Sequence, residues 1–176
     1  MRRAVFLDRD GVINRAIVRD GIPYPPASLA EVEVLPGVSD ALRVLHAKGF
    51  MLIVVTNQPD VARGTMPKAV VEEINNYLAE SLSIDEFRTC YCDDSDYCDC
   101  RKPRPGALLM AAQQHGIDLG KSYMIGDRWR DIEAGQRAGC ITVFIDYGYA
   151  EKQPELVDLR VKSLSEAAKI IIEDMK

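Results

Sequence analysis

The sequence predicts an α/β fold with a mainly parallel sheet. Three observations carry that prediction. Short, near-continuous apolar runs suit strands buried on both faces, helical patterns separate those runs, and polar residues gather where the runs stop. "AVFLD" (4–8) is the first strand, and "SDALRVLHAKG" (39–49) is a helix closed by Gly49. "FMLIVVTN" (50–57) is a second strand, followed by the helix "PKAVVEEINNYLAESL" (67–82) with Pro67 at its start. "FRTCY" (87–91) reads as a third strand. "PGALLMAAQQHG" (105–116) is a helix with proline at its first turn and glycine at its stop. "SYMIGD" (122–127), "WRDIEAGQRAG" (129–139) and "TVFIDYG" (142–148) give strand, helix, strand, before a last helix at 163–175. The proline-rich "PYPPASL" (23–29) reads as an ordered loop.

The chain has 176 residues, 47% of them hydrophobic and 28% charged, which suits a single domain spanning 1–176 around one sizeable core. A net charge of −5, without basic residues interleaved with aromatic ones, argues against a nucleic-acid or membrane-surface partner. The apolar run before Asp8 is too short for a signal-peptide core or a membrane span. The expectation is a cytoplasmic monomer whose cysteines stay reduced.

In a parallel sheet, ligands bind at the carboxyl ends of the strands. The first strand stops at Asp8 with Asp10 two residues on, the second at Thr56 and Asn57, and a later one at Gly126 and Asp127. One aspartate at a strand exit is an ordinary turn former; three polar exits on one rim call for more than turn chemistry. Asp8, Asp10 and Asp127 concentrate negative charge, so each raises the others' pKa unless a cation joins them. Oxygen-only ligation with few carboxylates suits Mg²⁺ sharing its shell with phosphate oxygens. The Thr56 hydroxyl, the Asn57 amide and the Lys102 ammonium are compatible with phosphate. A carboxylate nucleophile needs no general base and can form an aspartyl-phosphate, while a leaving group needs a proton from a second carboxyl.

"FLDRDGVIN", "VVTNQ", "RKPRPG" and "GDRWRD" resemble, in order and spacing, the four motifs of the haloacid dehalogenase superfamily of phosphatases. The resemblance runs from residue 4 to about 148. It implies a Rossmann-like three-layer fold, with Asp8 as nucleophile and Asp10 as general acid/base. Thr56 and Lys102 would hold the transferring phosphoryl group. Mg²⁺ would be bound by Asp8, Asp127 and the backbone carbonyl of Asp10. Asp131 would support Asp127 or cap its helix rather than bind the metal. No cap-sized insertion fits between Asp10 and Val34 or between Thr56 and Cys90, so a minimal cap and an open site are expected. Arg128, beside Asp127, is a candidate substrate contact.

Within that superfamily the chain resembles the small group acting on heptose bisphosphate and histidinol phosphate, through "TNQ…ARG" (Thr56 to Gly64) and a cysteine loop entering "CDCRKP". The implied substrate is a heptose bisphosphate, with histidinol phosphate or another sugar phosphate as the alternative. In that group the position of Arg101 reads the substrate's second anionic group. The loop there runs Cys-x-His then Cys-x-Cys, whereas this chain has Cys90, Cys92, Cys98 and Cys100. Four thiolates make a closed tetrahedral Zn²⁺ site, so a structural zinc in the 90–100 loop is expected. The alternatives are a disulfide pair, an empty reduced loop, or Cys92 standing outside the site. Pro59 and Asp60 replace the small residues usual after TNQ, and the loop following Asp10 is longer and richer in proline. Both departures fall at the substrate mouth. Cys140 reads as core, His46 and His115 as surface or core, and Trp129 as mouth or packing.

Overall fold

A computed structural model describes residues 1–174. Its elements follow the expected alternation: β1 (Arg3–Leu7), β2 (Ile17–Arg19), β3 (Ile22–Tyr24), α1 (Val38–Ala47), β4 (Phe50–Asn57), α2 (Lys68–Ser81), β5 (Glu86–Cys90), α3 (Gly106–His115), β6 (Tyr123–Gly126), α4 (Trp129–Ala138), β7 (Ile141–Ile145), β8 (Leu159–Val161) and α5 (Leu164–Glu173). The end of the expected last helix, residue 175, lies outside the described residues.

Six strands form one parallel sheet in the order β5-β4-β1-β6-β7-β8. Its apolar strands alternate faces residue by residue. In β1, Val5 and Leu7 point into a core shared with α1, α2 and α5, whereas Ala4 and Phe6 point into a core shared with α3 and α4. β4 repeats the pattern, with Leu52 and Val54 on one face and Ile53 and Val55 on the other. Helices on both faces explain why these strands read as continuous apolar runs.

The order also places the site. Successive crossovers run from β1 toward β4 on one side and toward β6 on the other, so the direction of winding reverses beside β1. Ligands in open α/β sheets sit at such a reversal, outside the carboxyl ends of the strands. The exits of β4, β1 and β6 are therefore neighbours, although Asp8, Thr56 and Asp127 are far apart in sequence.

Two elements depart from the sequence expectation. The loop after the first motif holds a two-stranded hairpin, β2 paired antiparallel with β3. Asp20 (φ 51°) and Gly21 (φ 76°) turn it, the Asp-Gly pair that a two-residue turn with positive φ at both positions favours. Strand β8 adds an edge beyond β7. All three of these strands are three residues long, too short to give a periodic signal.

On the α3/α4 face, Gly135 lets α4 lie close on the sheet. A Cβ there would stand 2.7 Å from Met124 Cβ and 3.0 Å from Thr142 Cγ2. Gly135→Val should therefore cost about 2–3 kcal/mol through overpacking, read as a lower denaturant midpoint with an unchanged m-value. A midpoint equal to wild type would show that this contact does not limit the packing.

Candidate active site

The turn after β1 builds the floor. The Asp8 amide donates to Ile125 O at 3.0 Å, which ties the exit of β1 to β6. Gly11 takes φ 88°, and a Cβ on it would overlap the Asp127 carboxylate. Glycine is what lets the turn close against that side chain.

Lys102 enters from the opposite side. It is 1% exposed, and its ammonium meets Asp8 Oδ1 at 2.9 Å, Asp131 Oδ1 at 2.7 Å and Val55 O at 2.6 Å. An ammonium has three donors, and here each has an oxygen. Burial alone would lower its pKa, but Asp131 and Asp8 hold it above the ordinary lysine value. Asp8 is pushed the other way: burial, then the Asp131 charge, raises its carboxyl to about 6 against the pull of Lys102. Asn57 fixes the backbone of Lys102, its Oδ1 accepting from Lys102 N at 3.1 Å and its Nδ2 donating to Lys102 O at 3.0 Å. Its amide, expected to contact substrate, is thus engaged in holding the lysine.

Asp127 is 1% exposed. Burial, then the charges of Asp8 and Asp131, raise its carboxyl well above the usual range. Its Oδ2 accepts from the Tyr149 hydroxyl at 2.7 Å, while Oδ1 is buried without a hydrogen-bond partner. Burial and the Asp127 charge hold the Tyr149 phenol far above its ordinary value, so it is a donor. Asp131 spends one oxygen on Lys102 and the other on Arg128 N, capping α4 at 3.0 Å. Of the two roles expected of Asp131 the structure displays the cap, and it adds the lysine contact.

Asp10 sits at the cleft mouth with its carboxylate held from three directions. Arg9 Nε reaches it at 3.2 Å, Asn14 Nδ2 at 3.0 Å and Gln58 Nε2 at 2.9 Å. Gln58 also donates to Thr56 Oγ1 at 2.9 Å. Arg9, fully buried, is anchored by Asn75 of α2 at 2.9 Å. Arg9, Gln58 and Tyr149 were not among the residues expected at the site. Arg9 and Gln58 lie inside quoted motifs, beside Asp8 and Asp10 and beside Asn57, and that adjacency was the available signal.

A cleft of about 280 Å³ opens over this floor. Asp8, Asp10, Asn57, Arg101, Lys102, Asp131 and Arg128 line it, with Arg63 and Arg130 on its rim and Ile22 to Pro25 of the hairpin forming one wall. Of the expected residues, Thr56 and Asp127 lie buried and do not line it. The rim arginines are paired: Arg101 with Asp94 at 2.9 Å, Arg130 with Asp94 at 3.3 Å, Arg63 with Asp93 at 2.6 Å, and Arg128 with both oxygens of Glu151. Trp129 packs against Arg130 and Lys152 instead of lining the cleft.

The cysteines converge as one knot. The sulfurs of Cys90, Cys92, Cys98 and Cys100 all lie within 4.8 Å of one another. Cys90 is disulfide-bonded to Cys100 and Cys92 to Cys98, so the structure displays the disulfide alternative rather than four free thiolates. The knot is attached to the site at both ends, because Cys90 O accepts from Gln58 N at 2.7 Å and Cys100 precedes Arg101 and Lys102. Cys140 is free and buried, as expected.

Asp131→Ala should leave the buried Lys102 ammonium with one carboxylate and α4 without its cap. Breaking a buried pair from one side costs about 3–5 kcal/mol, and chemical denaturation should read a loss of that order. A loss below about 1 kcal/mol, the range of surface ion pairs, would show that Asp8 and Val55 O alone suffice.

Comparison with known proteins agrees with this geometry. A HAD-hydrolase-like family model matches residues 99–170. D-glycero-beta-D-manno-heptose-1,7-bisphosphate 7-phosphatase of Escherichia coli strain K12 is 39% identical over 147 residues, covering 77% of this chain and 74% of that protein. The protein of the same name from Haemophilus ducreyi is 33% identical over 174 residues, covering 89% and 92%. The crystal structure of D,D-heptose 1,7-bisphosphate phosphatase from B. bronchiseptica, complexed with magnesium and phosphate, superposes with a TM-score of 0.84 at 27% identity, covering 98% of this chain and 99% of that one. Similarity of this depth over most of each chain, around a strand rim that gathers Asp8, Lys102 and Asp127, makes the chain a phosphatase of the haloacid dehalogenase (HAD) superfamily.

Proposed function

We propose that the chain is a magnesium-dependent phosphomonoesterase that works through an aspartyl-phosphate on Asp8 and removes the 7-phosphate of a D-glycero-D-manno-heptose 1,7-bisphosphate. The observation that carries the metal and the chemistry is the Asp127 carboxylate, clustered with Asp8 and with one oxygen buried and unpartnered. An orphaned buried carboxylate oxygen is costly, and a divalent cation would relieve it. Asp8, Asp127 and the backbone carbonyl of Asp10 would hold that cation. Asp131 is not a ligand in this reading, because both its oxygens are taken by Lys102 and Arg128 N. When bound, magnesium supplies positive charge that lowers the pKa of Asp8 and draws a phosphoryl group to it.

The chain's own groups supply the rest. An oxygen of ionised Asp8 attacks phosphorus and the ester P–O bond breaks. Protonated Asp10 gives its proton to the departing sugar oxygen. Asp10, now a carboxylate, takes a proton from water as that water attacks the aspartyl-phosphate, which restores Asp8 and releases phosphate. Lys102 balances the charge growing on the phosphoryl oxygens, held in place by Asn57. The names carried by the relatives in Escherichia coli and Haemophilus ducreyi support the heptose substrate, as does a cleft to which Arg63, Arg101, Arg128 and Arg130 all contribute. Asp8→Asn should abolish phosphate release while leaving the fold intact. Wild type should release phosphate fastest from the heptose bisphosphate within a panel that includes histidinol phosphate and hexose phosphates. Turnover by Asp8→Asn would remove the nucleophile assignment, and a preference for histidinol phosphate would remove the substrate.

The cysteine knot supports a structural zinc. The four sulfurs lie within 4.8 Å of one another, so once both pairs are reduced a single tetrahedral ion with about 2.3 Å Zn–S bonds would be within reach of all of them. Residues 93–96 between the pairs are all polar, so the loop has little to pack and a metal would supply its order. Protein purified under reducing conditions should carry about one zinc per chain. Released from zinc and denatured without reductant, it should titrate all five cysteines; a single reactive thiol, Cys140, would mean two disulfides instead.

A further inference from the structure

We infer that Tyr149 is a positioning residue that forces Asp127 to offer a metal one oxygen only, and so makes the site select magnesium over calcium. The inference rests on the magnesium reading above and concerns a residue outside the four sequence motifs. Tyr149 lies in the turn after β7, the next strand along from β6. Its hydroxyl donates to Asp127 Oδ2 at 2.7 Å, and Oδ1 of the same carboxylate is buried with no partner. The two oxygens are thereby made unequal: one is held by the phenol and the other is left for a cation.

The phenol is itself fixed. Tyr149 is 9% exposed, and its ring stacks on Tyr147 with centroids 5.5 Å apart and planes at 28°. The Tyr147 hydroxyl donates to Gly11 O at 2.9 Å, pinning the stack to the turn that carries Asp8 and Asp10. On the far side, Arg128 grips both oxygens of Glu151 and holds the segment that follows. Gly11 lies so close to the carboxylate that even a Cβ would overlap it. Asp127 therefore has no free space on this side in which to swing Oδ2 away from Tyr149.

Magnesium is small, demands a near-octahedral shell and takes carboxylates through single oxygens, whereas calcium accepts wider shells and bidentate carboxylates. A donor locked on Oδ2 costs magnesium nothing and denies calcium its second oxygen. Removing partners of this kind typically weakens metal binding by about 10–100-fold.

The test is direct binding of Mg²⁺ alone and Ca²⁺ alone, by calorimetry, to wild type, Tyr149→Phe and Tyr147→Phe, with melting temperatures alongside. Tyr149→Phe should weaken magnesium about tenfold and calcium much less, so the ratio of affinities falls about tenfold, whereas Tyr147→Phe, which frees the stack from Gly11 O but keeps the Tyr149 hydroxyl, should lower the ratio less. A lower melting temperature with an unchanged ratio, or equal losses for both ions, would overturn the inference and leave the magnesium reading standing. Absence of magnesium binding to wild type would overturn both. A crystal structure of the wild type with calcium gives the answer without any variant. Asp127 bound through Oδ1 alone, with Oδ2 still on Tyr149, supports the inference; bidentate Asp127 overturns it.

Discussion

The Lys102 ammonium, buried between Asp8 and Asp131 under the carbonyl of Val55, is the interaction on which the rest of the site depends. It touches three strand exits at once. Asp8 follows β1, Val55 lies near the end of β4, and Asp131 sits in the first turn of the helix after β6. Taking a lysine out of water is expensive, and the cost is offset only because every donor has an oxygen and two of those oxygens are charged. The geometry tolerates little slack, since a displaced strand exit would strand either the ammonium or a carboxylate. That requirement couples sheet register to chemistry.

The segment delivering the lysine is constrained in proportion. Cys100 ties the chain into the sulfur knot two residues before Lys102, and Asn57 clamps the lysine's own peptide groups. The acids of the same loop do a second job. Asp93 and Asp94 reach across to Arg63, Arg101 and Arg130 on the rim. Without a ligand these pairs compensate arginines crowded around one opening. Asp94 is more than half exposed, so its pairs are screened and weak, and an arriving phosphate can replace it at little cost. The cleft is thus acidic at its floor and basic at its lip, which suits a phosphate ester approaching a cation on that floor.

How much of this was legible in the sequence follows from which signals are local. β1, β4 and β6 are buried on both faces, so their apolar runs announced them, and their exits named Asp8, Thr56 and Asp127. The hairpin at 17–24 and strand β8 were missed because three residues cannot show a period, although Asp20-Gly21 was a readable turn. Asn57 was expected to touch substrate by its type and Arg128 by its place beside Asp127. Both line the cleft, and the fold also engages one with the backbone of Lys102 and the other with Glu151, partners 45 and 23 residues away. Tyr149 gave no signal, since nothing in "DYGYA" marks one phenol for a carboxylate 22 residues earlier. Only strand order brings the turn after β7 against the exit of β6.

The charges in this small volume show why that contact matters. Three carboxylates, Asp8, Asp127 and Asp131, converge on a buried site with one ammonium among them. Asp131 is satisfied by Lys102 and the α4 amide, and Asp8 is held by Lys102 through one oxygen. The excess negative charge therefore falls mainly on Asp127, and burial first, then the neighbouring carboxylates, raises the pKa of both Asp8 and Asp127. A neutral phenol cannot cancel that charge. It can decide which oxygen carries the unmet demand, and by taking Oδ2 it leaves that demand on Oδ1. The lysine thus fixes how much negative charge the site retains, and the tyrosine fixes where that charge is offered.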